Sequence, residues 1–215
     1  MRYRQTPHHI FGYNKDARPS NAGAIWRTLC WVNDQIAVSG DLPPHDSEAV
    51  AQLQKWVSEG VTDIIDLRGE ASHESLVARI APHITYHWLG VDDEGDKRSD
   101  EWFEAIQQAA AQVLADPTRK VVIHCHMGVN RGPSAAFTAL ITHGVDPIEA
   151  LSQIRAARPI AAMIYAGDAI QWFAAQQGST QEQSDAQFNA VLDWHLQNPL
   201  DVGYCIQQIG RRYAA

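Results

Sequence analysis

The chain has 215 residues, 45% of them hydrophobic and 20% charged, which is enough to bury one substantial core and fits neither a disordered nor a fibrous protein. Its 17 basic and 25 acidic side chains leave a net charge of −8, so general binding of nucleic acid or other polyanions is not expected. The start, Met1 to Pro7, lacks an apolar signal core and no later segment approaches the length of a membrane span, so the composition reads as a soluble, cytoplasmic protein.

Residues 1–24, with Asn14, Pro19, Ser20, Asn21 and Gly23, read as an irregular lead-in. Cys30-Trp31-Val32 and Gln35-Ile36-Ala37-Val38 then flank an Asn33-Asp34 turn, the pattern of a hairpin. Ser47 is placed to cap a helix whose apolar face is Val50, Leu53, Trp56 and Val57 and which stops at Gly60. Val61 to Leu67 reads as a strand, and the alternation of Ile84, Tyr86 and Trp88 as another. Asp100 starts a long helix carrying Phe103, Ile106, Ala110, Val113 and Leu114 on one stripe, and the β-branched run Val121 to Ile123 follows as a buried strand.

A helix from Pro133 to the stop at Gly144 comes next, then one opened by Asp146-Pro147-Ile148-Glu149 and closed at Arg158-Pro159. Residues 178–184 read as a polar linker, Asp185 as the start of a helix presenting Phe188, Leu192 and Leu196, and Val202 to Tyr213 as a last helix. Strands alternating with helices predict an α/β fold with a largely parallel central sheet flanked by helices. The expected division is a lead-in over 1–24, a catalytic domain over 25–178 and a helical C-terminal extension over 179–215.

The stretch Val121-Val122-Ile123-His124-Cys125-His126-Met127-Gly128-Val129-Asn130-Arg131-Gly132-Pro133-Ser134 carries the chemistry. It reads as strand, loop and helix start, with a cysteine opening the loop and an arginine closing it. Gly128 permits a sharp turn inside the loop, and Pro133 fits the first helical turn, where no amide is needed. Inward-facing loop amides and the positive end of the following helix stabilise negative charge at the loop centre. The same field is expected to favour the thiolate of Cys125, and the planar fork of Arg131 to hold two phosphoryl oxygens. Cys30, Cys125 and Cys205 are odd in number and widely spaced, which suits reduced thiols better than a disulfide framework or a zinc site, so no metal or cofactor is expected.

His124-Cys125-x5-Arg131 resembles the signature of the protein tyrosine phosphatase superfamily, especially its compact dual-specificity branch. Ile36 to Gly40 and Leu53 to Leu67, ending in Ile64-Ile65-Asp66-Leu67-Arg68, are similar to that family's early strand, first helix and second strand, so the resemblance spans about residues 30–176. It implies that Cys125 is the nucleophile, Arg131 the phosphate clamp, and an upstream aspartate the general acid. Leu89-Gly90-Val91-Asp92-Asp93-Glu94-Gly95 resembles the acid loop, and the aspartate nearest the glycine turn, Asp93, is the expected acid, with Asp92 the alternative. His126, Met127, Gly128, Val129, Asn130 and Gly132 are the expected substrate-binding positions; His124 is expected to be structural and Asn130 to brace the loop.

Two positions depart from the pattern. Gly132 stands where the family usually has Ser or Thr, whose hydroxyl helps the thiolate leave the phosphoenzyme, with Ser134 as a candidate substitute. Pro159 to Gln177 contains glutamines but no asparagine where that branch often has one. The resemblance implies a cysteine-dependent phosphatase that hydrolyses monoesters, on phosphotyrosine, phosphoserine or phosphothreonine of proteins, through a cysteinyl-phosphate. Gly128-Val129-Asn130-Arg131 is also similar to the loop of RNA 5′-phosphatases, and phosphoinositides are a further substrate class. The acidic charge and the absence of lysine in the loop count against both. A module that binds phosphate without turnover is the third reading, motivated by Gly132.

Overall fold

The fully buried runs Asp63–Arg68 (β3) and Val121–His124 (β5) lie side by side at the centre of a five-stranded sheet, in the order Cys30–Trp31 (β1), Ile36–Ser39 (β2), β5, β3 and Thr85–Val91 (β4). The computed structural model describes residues 8–213. Ile36–Ser39 (β2) pairs in parallel with the other edge of β5, and Thr85–Val91 (β4) in parallel with β3. Only Cys30–Trp31 (β1) runs antiparallel, as the first arm of the expected hairpin. Asn33 closes that hairpin, its Oδ1 accepting the amides of Gln35 and Ile36 at 2.9 and 2.7 Å.

Alternation along the strands divides the core. Ile64 and Val122 face Leu53 and Trp56 of Asp46–Ser58 (α1) and Val77 of Glu74–Ile80 (α2). Ile65 and Ile123 face the opposite layer, where Phe103 and Ile106 of Asp100–Leu114 (α3) meet Phe137 and Leu140 of Arg131–Thr142 (α4). Leu151 of Pro147–Ala157 (α5), Ile170 of Ala166–Gln176 (α6) and Val191 of Gln181–Gln197 (α7) complete this layer. Val202–Tyr213 (α8) packs elsewhere: its Cys205 and Ile209 join Ala22, Trp26 and Val129 in a third cluster.

Parallel pairing brings the C-terminal ends of β2, β3, β4 and β5 to one edge of the sheet, where ligands bind in open α/β folds. The segments leaving those ends carry Asp41, Glu70, Asp93 and Cys125.

Local details differ from the sequence reading. Helix α1 starts at Asp46, so Ser47 lies inside it, and His45 at the N-cap makes no side-chain cap bond. Half of the expected 178–184 linker is the first turn of α7, fixed by a Thr180–Gln183 capping box. Trp88 is exposed because β4 is an edge strand, although its indole N–H donates to the Arg68 carbonyl at 2.7 Å. Residues 1–7 of the expected lead-in lie outside the described residues.

Two histidines, one buried and one half-buried, make the fold acid-sensitive. His195 packs edge-on against Phe11 and Trp194 with neither ring nitrogen hydrogen-bonded among the described residues, and burial, then Arg155, pushes its pKa down to about 3. His73 is pushed down to about 4 by burial and by Arg68, which donates to its Nδ1 at 2.6 Å. Both rings are therefore neutral in the fold but take up protons on unfolding below their ordinary value of 6.5, so their contribution to stability is present above that pH and is lost as pH falls towards 4 and 3. The melting midpoint should fall steadily below about pH 6.5, and His195→Phe should make the fall shallower. Calorimetry across pH 3–8 checks this; an unchanged slope in the variant contradicts it.

Candidate active site

The loop from Cys125 to Arg131 joins the end of β5 to the start of α4, and its carbonyls are drawn outwards. The His126 carbonyl accepts from the Trp26 indole and from the Asp41 amide, each at 3.0 Å, and the Val129 carbonyl from the Ala162 amide at 2.6 Å. Arg158, wholly buried, donates to the Gly128 and Met127 carbonyls at 2.6 and 3.1 Å. With these carbonyls held outside, the amides turn inward and form an anion nest. Gly128 has φ +62°, and a Cβ there would overlap the Arg158 guanidinium and lie 2.6 Å from the Ser39 carbonyl oxygen, so the turn requires glycine.

Cys125, Asp93, Asn130 and Arg131 line one cavity of about 320 Å³, at whose rim lie His126, Met127 and Val129. Arg131, the first residue of α4, donates from both terminal nitrogens to the Glu70 carboxylate, at 2.7 and 2.8 Å, and also to the Val91 carbonyl at 2.8 Å. Its Nε is buried, makes no hydrogen bond among the described residues, and lies 3.4 Å from Asp93 Oδ2.

The structure brings Asp93 to the cavity and leaves Asp92 outside it. The Oδ1 of Asp93 accepts from Asn130 Nδ2 at 2.7 Å and from the Tyr165 hydroxyl at 2.8 Å, while Tyr165 itself accepts from the Gly95 amide at 3.2 Å. Asp92 is exposed, with its carboxylate beside Gly69 and its carbonyl taken by Arg98 at 2.8 Å. Asn130 also accepts the Ile164 amide at 2.8 Å, so one side chain ties the loop, the aspartate and the segment before α6 together. In that segment Met163 holds φ 56°, a left-handed conformation that a non-glycine residue adopts only when its surroundings impose it.

The remaining candidates separate by position. His124 is buried against Trp56, with Nε2 3.7 Å from Asp66, which agrees with a structural reading. His126 donates from Nδ1 to Asp41 at 2.8 Å at the cavity rim. Ser134 is fully buried and committed: its hydroxyl donates to Asn130 Oδ1 and accepts from the Tyr165 amide, both at 3.3 Å, so it does not replace the hydroxyl missing at Gly132.

Glu70 and Tyr165 escaped the sequence reading. For Glu70 a signal existed, since it lies two residues past a strand ending in Arg68. For Tyr165 there was none.

The electrostatics correct one expectation. Burial pushes the Cys125 thiol above its ordinary range, and Asp93 adds to this; the Arg131 charge and the amides of Gly132 and Gly128 pull the other way without prevailing. The Arg131 charge is shared between Glu70 and Asp93, so the loop surroundings are not net positive.

No protein-family model and no curated protein matches this chain. Solved structures do. Human DUSP28 superimposes with a TM-score of 0.54 at 17% identity, over 69% of this chain and 95% of that one. A mouse putative dual specificity phosphatase complexed with zinc tungstate gives 0.54 at 16%, over 71% and 92%. The human tyrosine phosphatase-like serine/threonine/tyrosine-interacting protein gives 0.54 at 13%, over 69% and 97%. The fold is dual-specificity phosphatase-like. Each of these neighbours is matched almost whole, whereas this chain adds structure to the shared phosphatase fold.

If Glu70 and Asp93 together hold the thiol protonated, Glu70→Gln should lower the Cys125 pKa and speed its alkylation by iodoacetamide at neutral pH. Rate against pH checks this in both proteins, with the wild-type midpoint above the ordinary 9. Superimposable profiles would remove Glu70 from the account.

Proposed function

We propose that the chain is a cysteine-dependent phosphatase that hydrolyses phosphate monoesters of phosphorylated proteins. The observation that carries this is the Nε–H of Arg131, a buried donor that makes no hydrogen bond among the described residues and is paired only by charge with Asp93 Oδ2 at 3.4 Å, in the same cavity as the Cys125 sulfur. A buried donor left unpaired costs about 1–3 kcal/mol, and an oxyanion at the loop centre relieves that cost.

The chemistry needs no further group. Cys125 gives up its thiol proton to the incoming phosphate dianion, and its Sγ then forms a bond to phosphorus as the ester P–O bond breaks, with loop amides and Arg131 holding the equatorial oxygens. Asp93 in its protonated form gives its proton to the departing oxygen, and Asn130 and Tyr165 hold that carboxyl at the cavity. Water then attacks phosphorus and gives a proton to the now ionised Asp93, the S–P bond breaks with its electron pair returning to sulfur, and inorganic phosphate leaves.

Cys125→Ser should abolish phosphate release while oxyanion binding persists. Asp93→Asn should slow esters with poor leaving groups at least about tenfold more than those with good ones, with Asp92→Asn near wild type. Kinetics on a series of aryl and alkyl phosphates check both. A wild-type protein that binds phosphate analogues yet releases none from any monoester would make this a recognition module.

Gly132 sets an expectation for the second step. A Cβ at this position would lie 3.4 Å from the Cys125 amide and the His124 Cα, so a serine fits next to the first residue of the loop. A burst of alcohol before a slow steady state should appear in the wild type, and Gly132→Ser should shorten the slow phase. Rapid-quench time courses check this; a linear course in both proteins means that formation of the intermediate limits.

A further inference from the structure

The cavity at Cys125 has a wall built by α8, the last described helix. Val202 and Ile206 line it together with Asp93 and Arg131, and Met127, Val129 and Ile164 add to its apolar lining. Ile206 is 44% exposed, a large aliphatic side chain facing the opening of a polar site. Among the described residues Arg131 is the only lysine or arginine lining the cavity, and Glu70 already holds its fork.

The helix is fixed firmly enough to shape a substrate. Cys205 and Ile209 are fully buried against Ala22 and Trp26. At its start Asp201 accepts from Arg18 Nε at 2.8 Å and from the Tyr204 amide at 2.9 Å. At its end Tyr213 packs against Trp26 and the His126 ring, with centroids 5.7 and 6.1 Å apart. At about 320 Å³ the cavity lies near the lower end of the usual 300–1,000 Å³ for small-molecule sites, so a group attached to the phosphate oxygen cannot avoid this wall.

We infer that Val202 and Ile206 of α8 determine specificity, selecting phosphate monoesters whose organic group is a ring that lies flat against them. This rests on the phosphatase reading of the same site. An apolar ring gains by burial there, whereas a hydroxylated or multiply phosphorylated group leaves its polar atoms against aliphatic carbon with no second cation to meet them. A phenol ester fits, whether it belongs to a tyrosyl side chain or to a small phenol.

The test uses non-hydrolysable probes on the full chain. Phenylphosphonate should bind the wild type roughly tenfold more tightly than methylphosphonate by calorimetry, and Ile206→Gln and Val202→Gln should each erase most of that preference while leaving methylphosphonate affinity unchanged. Ile206→Ala, at an exposed position, serves as the variant that keeps the fold, confirmed by its melting temperature. Absence of a preference in the wild type, or a preference that survives substitution of Ile206, overturns the inference. Because the probes are not turned over, the outcome is separate from the phosphatase reading, which fails only if the wild type releases no phosphate from any monoester. Comparing kcat/KM for a phosphotyrosine peptide and phenyl phosphate then assigns the source of the ring.

Discussion

One buried guanidinium holds the site in shape. Among the described residues Arg158 has no carboxylate partner; it donates to the carbonyls of Gly128 and Met127 on the loop and of Trp26, Ile25 and Thr28 on the segment behind it. Burial pushes its pKa down from the ordinary value, and charge-assisted bonds to carbonyls on all sides offset the loss of water. Those bonds fix the outward direction of the loop carbonyls, which gives the amides their inward one. The loop geometry, the glycine at 128 and the packing of residues 25–28 therefore rest on a single side chain.

A second constraint follows from the parallel sheet. Three strand ends deliver Asp41, Glu70 and Asp93 to the same edge, and each carboxylate is matched by an arginine: Arg27 for the first, Arg131 for the other two. Behind them Arg68 lies between Asp66 at 2.6 Å and Asp41 at 3.9 Å. Asp66 shows the balance of terms. Burial pushes its pKa up, but His124, Arg68 and Tyr86 outweigh that and bring it down to about 2. The same balance runs the other way at Cys125, where burial prevails because the nearby positive charge is already taken.

The sequence made the central sheet legible because β-branched runs bounded by turn residues leave few alternatives, and it placed α8 at Val202–Tyr213 because its apolar spacing is regular. The loop was legible for a similar reason: Cys125, Gly128 and Arg131 are close in sequence, so their geometry is local. What escaped depended on contacts between distant segments. Glu70 reaches Arg131 across 61 positions, and Tyr165 reaches Asp93 across 72; the place of Glu70 just past a strand end marks it only as near the site, and no local pattern records Tyr165. The expected thiolate failed on the same account, since the charges that decide it come from elsewhere in the chain. Short elements such as α2, seven residues long, carry too little periodicity to be read.

The fastening of α8 also has a consequence in time. Asp201 is held by Arg18 across 183 positions, and the helix lies against residues 22–26, so this wall closes only when segments far apart in the chain meet. During synthesis from the N-terminus, the sheet, the loop and the acid are all available before α8 emerges from the ribosome. The loop from Cys125 to Arg131 is therefore made before the helix that walls its cavity.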